Sequence, residues 1–427
     1  MKILLVSGSF PDMQCGVGDY CAHLAVGLAS TGAIVSVLTS RHPRIAERRK
    51  DYFTDGVKVF DAVHRWDLSG LARIGEIIDE IEPDIVHIEY QTGSFGRKAA
   101  VNFLPVVVKR SHNWRRIVTT FHDCATPYLF PRAPRRLRRR TLLPLLCLSD
   151  GVIVSNHRDR VELSALHSGV LNRIAEIPVG SNIVFDPGMT SDAARLRRDI
   201  GIGPDEHLIS CFGFVRDDRD NTLLLNAVNR LTANGLRVKL AFVGGFQKSP
   251  NTHRSVVNTV LKMGMSGNVF FTGYLAPTLV SQFLKASEVH VSCPRDGVAT
   301  ARCSLITALS HGIPTVATSL GDEPDCFKNR ENIILVPPGD VEALALSIRD
   351  LLLSSSLRET LSKNAALLAN AFSWETIVRQ HLNVYREVLS SKTSGGRRPD
   401  SDCGQSCEPL RQLAPSEAGG YGEDWKL

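Results

Sequence analysis

The feature that most constrains this chain is a repeated alternation of short apolar runs with longer stretches of helical spacing. The first half carries six such runs, Ile3–Ser7, Ile34–Thr39, Asp84–Ile88, Ile117–Phe121, Gly151–Ser155 and Ile174–Pro178. The second half repeats the pattern at Leu208–Gly213, Val238–Gly244, Val269–Gly273, Val289–Cys293, Pro314–Thr318 and Ile333–Val336. Between runs, apolar residues recur at helical spacing, as in Tyr20, Leu24 and Leu28. Strands that alternate with helices close into parallel sheets covered on both faces. Each set is long enough for one doubly wound sheet, and 427 residues suffice for two cores. The expected fold is α/β, with two Rossmann-like lobes facing across a cleft.

A polar, Gly- and Pro-punctuated segment follows Pro178-Val179-Gly180. It sets the expected divisions at residues 1–185 for the first lobe and 186–372 for the second. Ser373 is a plausible N-cap for a helix over 373–390, expected to pack back on the first lobe. Residues 391–427 are poor in large apolar side chains and are expected to be disordered. The formal charge of +6 suits a small anionic ligand and is too weak to argue for nucleic acid. Ten cysteines without a CxxC pair fit neither a zinc site nor a disulfide framework, which implies reduced thiols. The apolar run at the N-terminus is too short for a signal peptide, and no run reaches the ~18–20 residues of a membrane helix. A cytoplasmic protein is expected.

Two loops carry the chemistry. After the first run comes Gly16-Val17-Gly18-Asp19-Tyr20, opening a helix whose backbone N–H groups can approach an anion. It is not a dinucleotide fingerprint, because Cys21 stands where the third glycine belongs and Thr39-Ser40-Arg41 replaces the acidic residue after the second run. His122-Asp123 follows the fourth run, at the carboxyl end where open sheets bind ligands. Glu89 and Tyr90, ending a neighbouring run, are acceptor-side candidates together with Asp123.

In the second half, Phe214-Val215-Arg216-Asp217-Asp218-Arg219 follows the first run. Arg216 and Arg219 supply permanent charge and bidentate geometry for a diphosphate. Further on, Asp296-Gly297-Val298 and Arg302-Cys303-Ser304 lead into a helix closed by His311-Gly312-Ile313-Pro314. The helix start offers free N–H groups, Asp296 can accept from sugar hydroxyls, and Arg302 adds charge.

These residues, with Val243-Gly244, Thr272-Gly273-Tyr274, the run from Gly321 to Asp325 and that from Asn332 to Asp340, resemble glycosyltransferase family 4 over residues 1–390. That resemblance implies a retaining transferase of the GT-B fold. It places Gly16 and Gly18 near the donor diphosphate and the acceptor, His122 on the transferred sugar, and Arg219 on the diphosphate. The chain departs from the family at Phe214, where the family has arginine, and in the pair of glutamates eight positions apart. Those two positions fall on Ala299 and Thr307, so Asp296 is taken as the displaced sugar contact and Thr307 stands at the ribose position.

The resemblance implies a reaction that needs no cofactor and no metal. A sugar moves from a nucleotide-diphosphate donor to a glycan, lipid-linked or small-molecule acceptor. Expected catalytic residues are His122, Asp296 and Arg219. Donor contacts are Gly16, Gly18, Arg216, Arg219, Gly297, Val298, Arg302, Cys303 and Thr307. Arg132, Arg135, Arg136, Arg138, Arg139 and Arg140 form a basic segment followed by Leu142-Leu143-Pro144-Leu145-Leu146. It reads either as a solvated helix face or as a peripheral contact to the inner face of a membrane. The competing functional reading, motivated by Phe214, Ala299 and Thr307, is a GT-B-like binding subunit of weak or no activity. A sugar-nucleotide epimerase is a third.

Overall fold

The computed structural model describes residues 1–11, 13–41, 51–111, 114–126, 133–183, 190–246 and 250–391. The first lobe contains β1 (Lys2–Ser7), β2 (Ile34–Ser40), β3 (Asp51–Thr54), β4 (Val57–Val63), β5 (Ile85–Tyr90), β6 (Arg116–Phe121), β7 (Gly151–Val154) and β8 (Ile174–Glu176). They form one eight-stranded sheet in the order β3-β4-β2-β1-β5-β6-β7-β8. The second contains β9 (His207–Phe212), β10 (Val238–Val243), β11 (Val269–Phe271), β12 (Val289–Ser292), β13 (Thr315–Thr318) and β14 (Ile334–Val336), in the order β11-β10-β9-β12-β13-β14. Every pairing is parallel except β3 with β4.

All twelve apolar runs form strands. β3 and β4 are additional, and they make a hairpin at the sheet edge. Its turn is Asp55-Gly56, with φ of 48° and 80°, the pair of positive values that a tight Asp-Gly hairpin requires.

Strand order places the reaction cleft. In the first sheet the chain reverses direction of winding between β1 and β5, and in the second between β9 and β12. Ligands of open parallel sheets lie beyond the carboxyl ends of the strands at that reversal. The segments that leave β1, β9 and β12 there carry Gly16, Arg219 and Asp296, and the carboxyl end of β5 itself carries Glu89.

The helix Trp374–Ser390, capped by Ser373, follows the second lobe and lies along the helix Gly16–Ser30 of the first. Its Trp374 indole donates to the Ser181 carbonyl at 2.7 Å. One apolar cluster runs from Leu24 and Leu28 through Ile377 and Val384 to Leu305 and Ile306, and so joins both lobes. The expected boundary at 186 and the tail 392–427 lie outside the described residues.

Candidate active site

The period of two along a strand decides what β5 offers the cleft. His87 and Glu89 face the helix Trp374–Ser390, where His87 Nδ1 meets the Tyr385 hydroxyl at 2.6 Å. Tyr90 therefore points the other way, into the core between Phe95 and Phe121. It is fully buried and its hydroxyl is 3.2 Å from Thr92 Oγ1. That corrects the acceptor-side reading of Tyr90, since adjacent strand residues cannot both reach the same face. Glu89 is also fully buried, so it sits beneath the cleft surface instead of meeting an acceptor.

His122 follows β6 directly, on the same face as Thr120 and Glu89. Its Nε2 lies 2.8 Å from Glu89 Oε2. Its ring packs edge-on against Tyr20, with centroids 4.8 Å apart. Burial alone would push the Glu89 carboxyl up, but the His87, His122 and His381 imidazoles outweigh it and hold the group below the usual carboxylate value. Burial pushes His87 down, and His381 down to about 4. Asp123, one residue on, turns its Oδ1 back to the Ala125 N–H at 3.0 Å. Burial raises its pKa, and Arg216 of the second lobe is among the groups that oppose the rise.

The helix Gly16–Ser30 starts at the cleft. Gly18 is needed there because a Cβ would lie 3.0 Å from Phe10 N and 3.1 Å from its Cα. Gly16 is open, with Asn182 Nδ2 donating to its carbonyl at 3.2 Å. Asp19, in the same first turn, was not singled out from sequence. Its side chain makes no hydrogen bond or ion pair among the described residues, and burial raises its pKa from 3.8 to about 6. Its charge reaches Tyr274 and Cys303 of the second lobe, which places it on the cleft wall. The signal available was position, since an acid three residues past a cleft-side glycine sits in the first helical turn.

Across the cleft, Arg219 folds under the end of β9. It donates to the Phe212 carbonyl at 2.7 Å and to Ser304 Oγ at 2.8 Å. Gly213 makes room for it, because at φ 108° a Cβ would lie 2.8 Å from the guanidinium. Ser304 belongs to the first turn of the helix Cys303–Ser310, whose N-cap Arg302 supplies no side-chain cap. Among the described residues the N–H groups of Cys303 and Ser304 have no partner, and they stand beside a guanidinium, a ready anion cradle. Arg216 is exposed and pairs with Asp218 at 3.3 Å.

Other expected donor contacts are differently engaged. The Gly297 and Val298 N–H groups are bonded to the Pro294 and Thr318 carbonyls at 3.2 and 3.0 Å, so neither amide is free for phosphate. Thr307 is fully buried, with its hydroxyl 3.0 Å from Ser181 Oγ, and it packs the lobe junction instead of reaching a ribose. The half-buried Cys303 thiol is pushed up to about 11 by burial. Arg302 ion-pairs with the exposed Asp296, whose carbonyl also accepts from Arg158 of the first lobe. Arg158 grips Asp322 with two bonds, at 2.9 and 2.5 Å, and so fastens the lobes at the Asp296-Gly297 loop.

Asp218-Arg219-Asp220 is an Asp-x-Asp sequence beside this cradle. Asp220 is spent as the N-cap of the helix Asn221–Ala233, accepting from Leu223 N at 3.0 Å, and Asp218 pairs with Arg216. Of the basic segment, Arg132 lies outside the described residues. Arg135–Arg140 forms a short helix, with Arg136, Leu137 and Arg140 exposed and Arg139 paired to Glu162 at 3.1 Å. No helix among the described residues is long and apolar enough to cross a membrane.

The fold and cleft define the GT-B class of glycosyltransferase structures. A sucrose-phosphate synthase from Thermosynechococcus elongatus superposes with a TM-score of 0.72 at 19% identity, covering 92% of this chain and 100% of that one. Anabaena HepE in complex with UDP-glucose gives 0.67 at 17% identity, with 92% and 100% covered. In sequence, the chain is 24% identical over 435 residues to a D-inositol 3-phosphate glycosyltransferase of Mycobacterium marinum, covering 96% of this chain and 91% of the relative. The family model described as Glycosyltransferase Family 4 matches residues 15–183, and that described as Glycosyl transferases group 1 matches 206–354. The chain belongs to glycosyltransferase family 4 and is a glycosyltransferase enzyme.

Proposed function

We propose that this enzyme transfers a hexose from a nucleoside-diphosphate sugar with retention of configuration and without a metal. The observation that carries the reading is the anion cradle of Arg219 and the uncapped Cys303 and Ser304 amides, with Cys303 close enough to Asp19 of the first lobe to feel its charge. In this reading the leaving diphosphate gathers charge against that cradle, with Arg216 adding to it. The acceptor hydroxyl attacks from the face the diphosphate leaves. His122 holds a hydroxyl of the transferred sugar, and Asp296 holds another from the opposite lobe. Closure of the lobes brings the two halves together, and Arg158 with Asp322 is a contact that favours it.

HepE binds UDP-glucose, which makes UDP-sugars the first donors to try. The relatives are named for D-inositol 3-phosphate, which makes a polyol phosphate the first acceptor to try, before glycans and lipid-linked sugars. The basic segment from Arg132 to Arg140 is proposed to meet the anionic inner face of a membrane when the acceptor is lipid-linked.

The test is a panel of UDP-, GDP- and ADP-sugars, each with and without EDTA, followed by NMR of the product anomer. Turnover that survives EDTA and keeps the donor's anomeric configuration is expected. Loss of turnover in EDTA, or an inverted product, overturns the reading.

A further inference from the structure

This inference rests on the reading of His122 as a contact to the transferred sugar. It concerns the buried polar cluster behind that residue. A buried carboxylate is costly unless it is paired, and an apolar side chain would fill the Glu89 position more cheaply. Glu89 nevertheless sits fully buried, with Oε2 at 2.8 Å from His122 Nε2. Its Oε1 has no hydrogen-bond partner among the described residues, and His87 Nδ1 stands 3.6 Å away. That nitrogen is already engaged with the Tyr385 hydroxyl at 2.6 Å, and His87 Nε2 with Thr120 Oγ1 at 2.7 Å. His122 is thus the one hydrogen-bond partner of Glu89 among the described residues, while His87, held between Tyr385 and Thr120, walls in the other oxygen.

An ionised carboxylate only accepts hydrogen bonds, so His122 Nε2 must carry the proton in that contact. Nδ1 has no protein partner among the described residues, and the side chain keeps 6% of its surface open. The free edge of the ring is therefore the one that faces the cleft.

We propose that Glu89 is a positioning residue that fixes His122 with its proton on Nε2 and its Nδ1 aimed at the donor sugar. Tyr385, acting through His87, completes the support. A helix that follows the second lobe in sequence thereby becomes part of the reaction site of the first. Tyr20, between His122 and His381, ties the same helix to the ring from the other side.

The experiment is long-range 1H–15N correlation of histidine-labelled full-length protein, with His122→Ala to assign the signal. In the parent, the His122 ring is expected with its proton on Nε2. In Glu89→Met, which removes the acceptor at similar volume, the proton is expected to move mainly to Nδ1. Turnover of the donor found in the panel should fall at least tenfold, with UDP binding changed less than twofold. Tyr385→Phe should give an intermediate mixture of tautomers. A parent spectrum with Nε2 unprotonated overturns the proposal even if no variant folds. An unchanged His122 signal in folded Glu89→Met also overturns it. Full turnover in His122→Ala would instead remove the sugar-contact reading and leave the tautomer result standing.

Discussion

Replacing Asp19 with Asn removes a charge that the first lobe holds out of water without a partner. Burial raises this carboxyl from 3.8 to about 6, so the folded protein binds the proton more tightly than the unfolded chain. The sign follows from that order. Well below pH 3.8 both states are protonated and the group costs nothing. Between the two values the cost grows, and above pH 6 it is complete. At ~1.36 kcal/mol per pKa step, the burden above pH 6 is at most about 3 kcal/mol, less whatever solvent screening removes. Asp19→Asn keeps the shape and loses the charge. It should raise the denaturation midpoint at pH 7.5, and most of the gain should be gone by pH 4. Urea melts of parent and variant at half-unit pH intervals measure this directly. A gain that is equal at pH 4 and pH 7.5, or a loss at pH 7.5, refutes the picture of an unpaired carboxylate on the cleft wall.

Gly18→Ala should cost about 1–3 kcal/mol in the same melts, because its methyl group meets the Phe10 backbone at 3.0–3.2 Å and backbone cannot step aside cheaply. Arg158→Ala should weaken UDP binding two- to fivefold through loss of the lobe-bridging pair. The effect should fade in high salt, since both partners are partly exposed, and calorimetric titration at two ionic strengths checks it. Tyr90→Phe should leave donor and acceptor KM unchanged, because its hydroxyl lies in the core beside Thr92, and steady-state kinetics with the donor from the panel will tell.

Much of this was legible in the chain. Parallel strands buried on both faces read as continuous apolar runs, and so all twelve stood out. The β3–β4 hairpin escaped because Tyr52, Phe53 and Lys58 alternate in a pattern unlike those runs, although Asp55-Gly56 marked its turn. At the site, Arg219 and His122 could be placed from their positions after strands. Tyr90 could not be separated from Glu89 without knowing which face of β5 the closing helix covers. The engagement of the Gly297 and Val298 amides was likewise invisible, since it depends on Pro294 and on Thr318 in the next strand. Asp19 was hidden for a related reason, because its burial is set by tertiary packing that the local sequence does not show. The bonds that run between distant segments, such as Arg158 to Asp322, leave no local mark in sequence.

A diphosphate gripped by the Arg219 cradle is the central requirement of the proposed reaction. Calorimetric titration of UDP into the parent, Arg219→Lys and an Arg216→Ala, Arg219→Ala double variant tests that most directly. Charge-assisted bonds of about 1.5–3 kcal/mol each predict at least tenfold weaker binding in the double variant, with Arg219→Lys in between. Equal affinity in all three proteins, each shown to be folded, would contradict it.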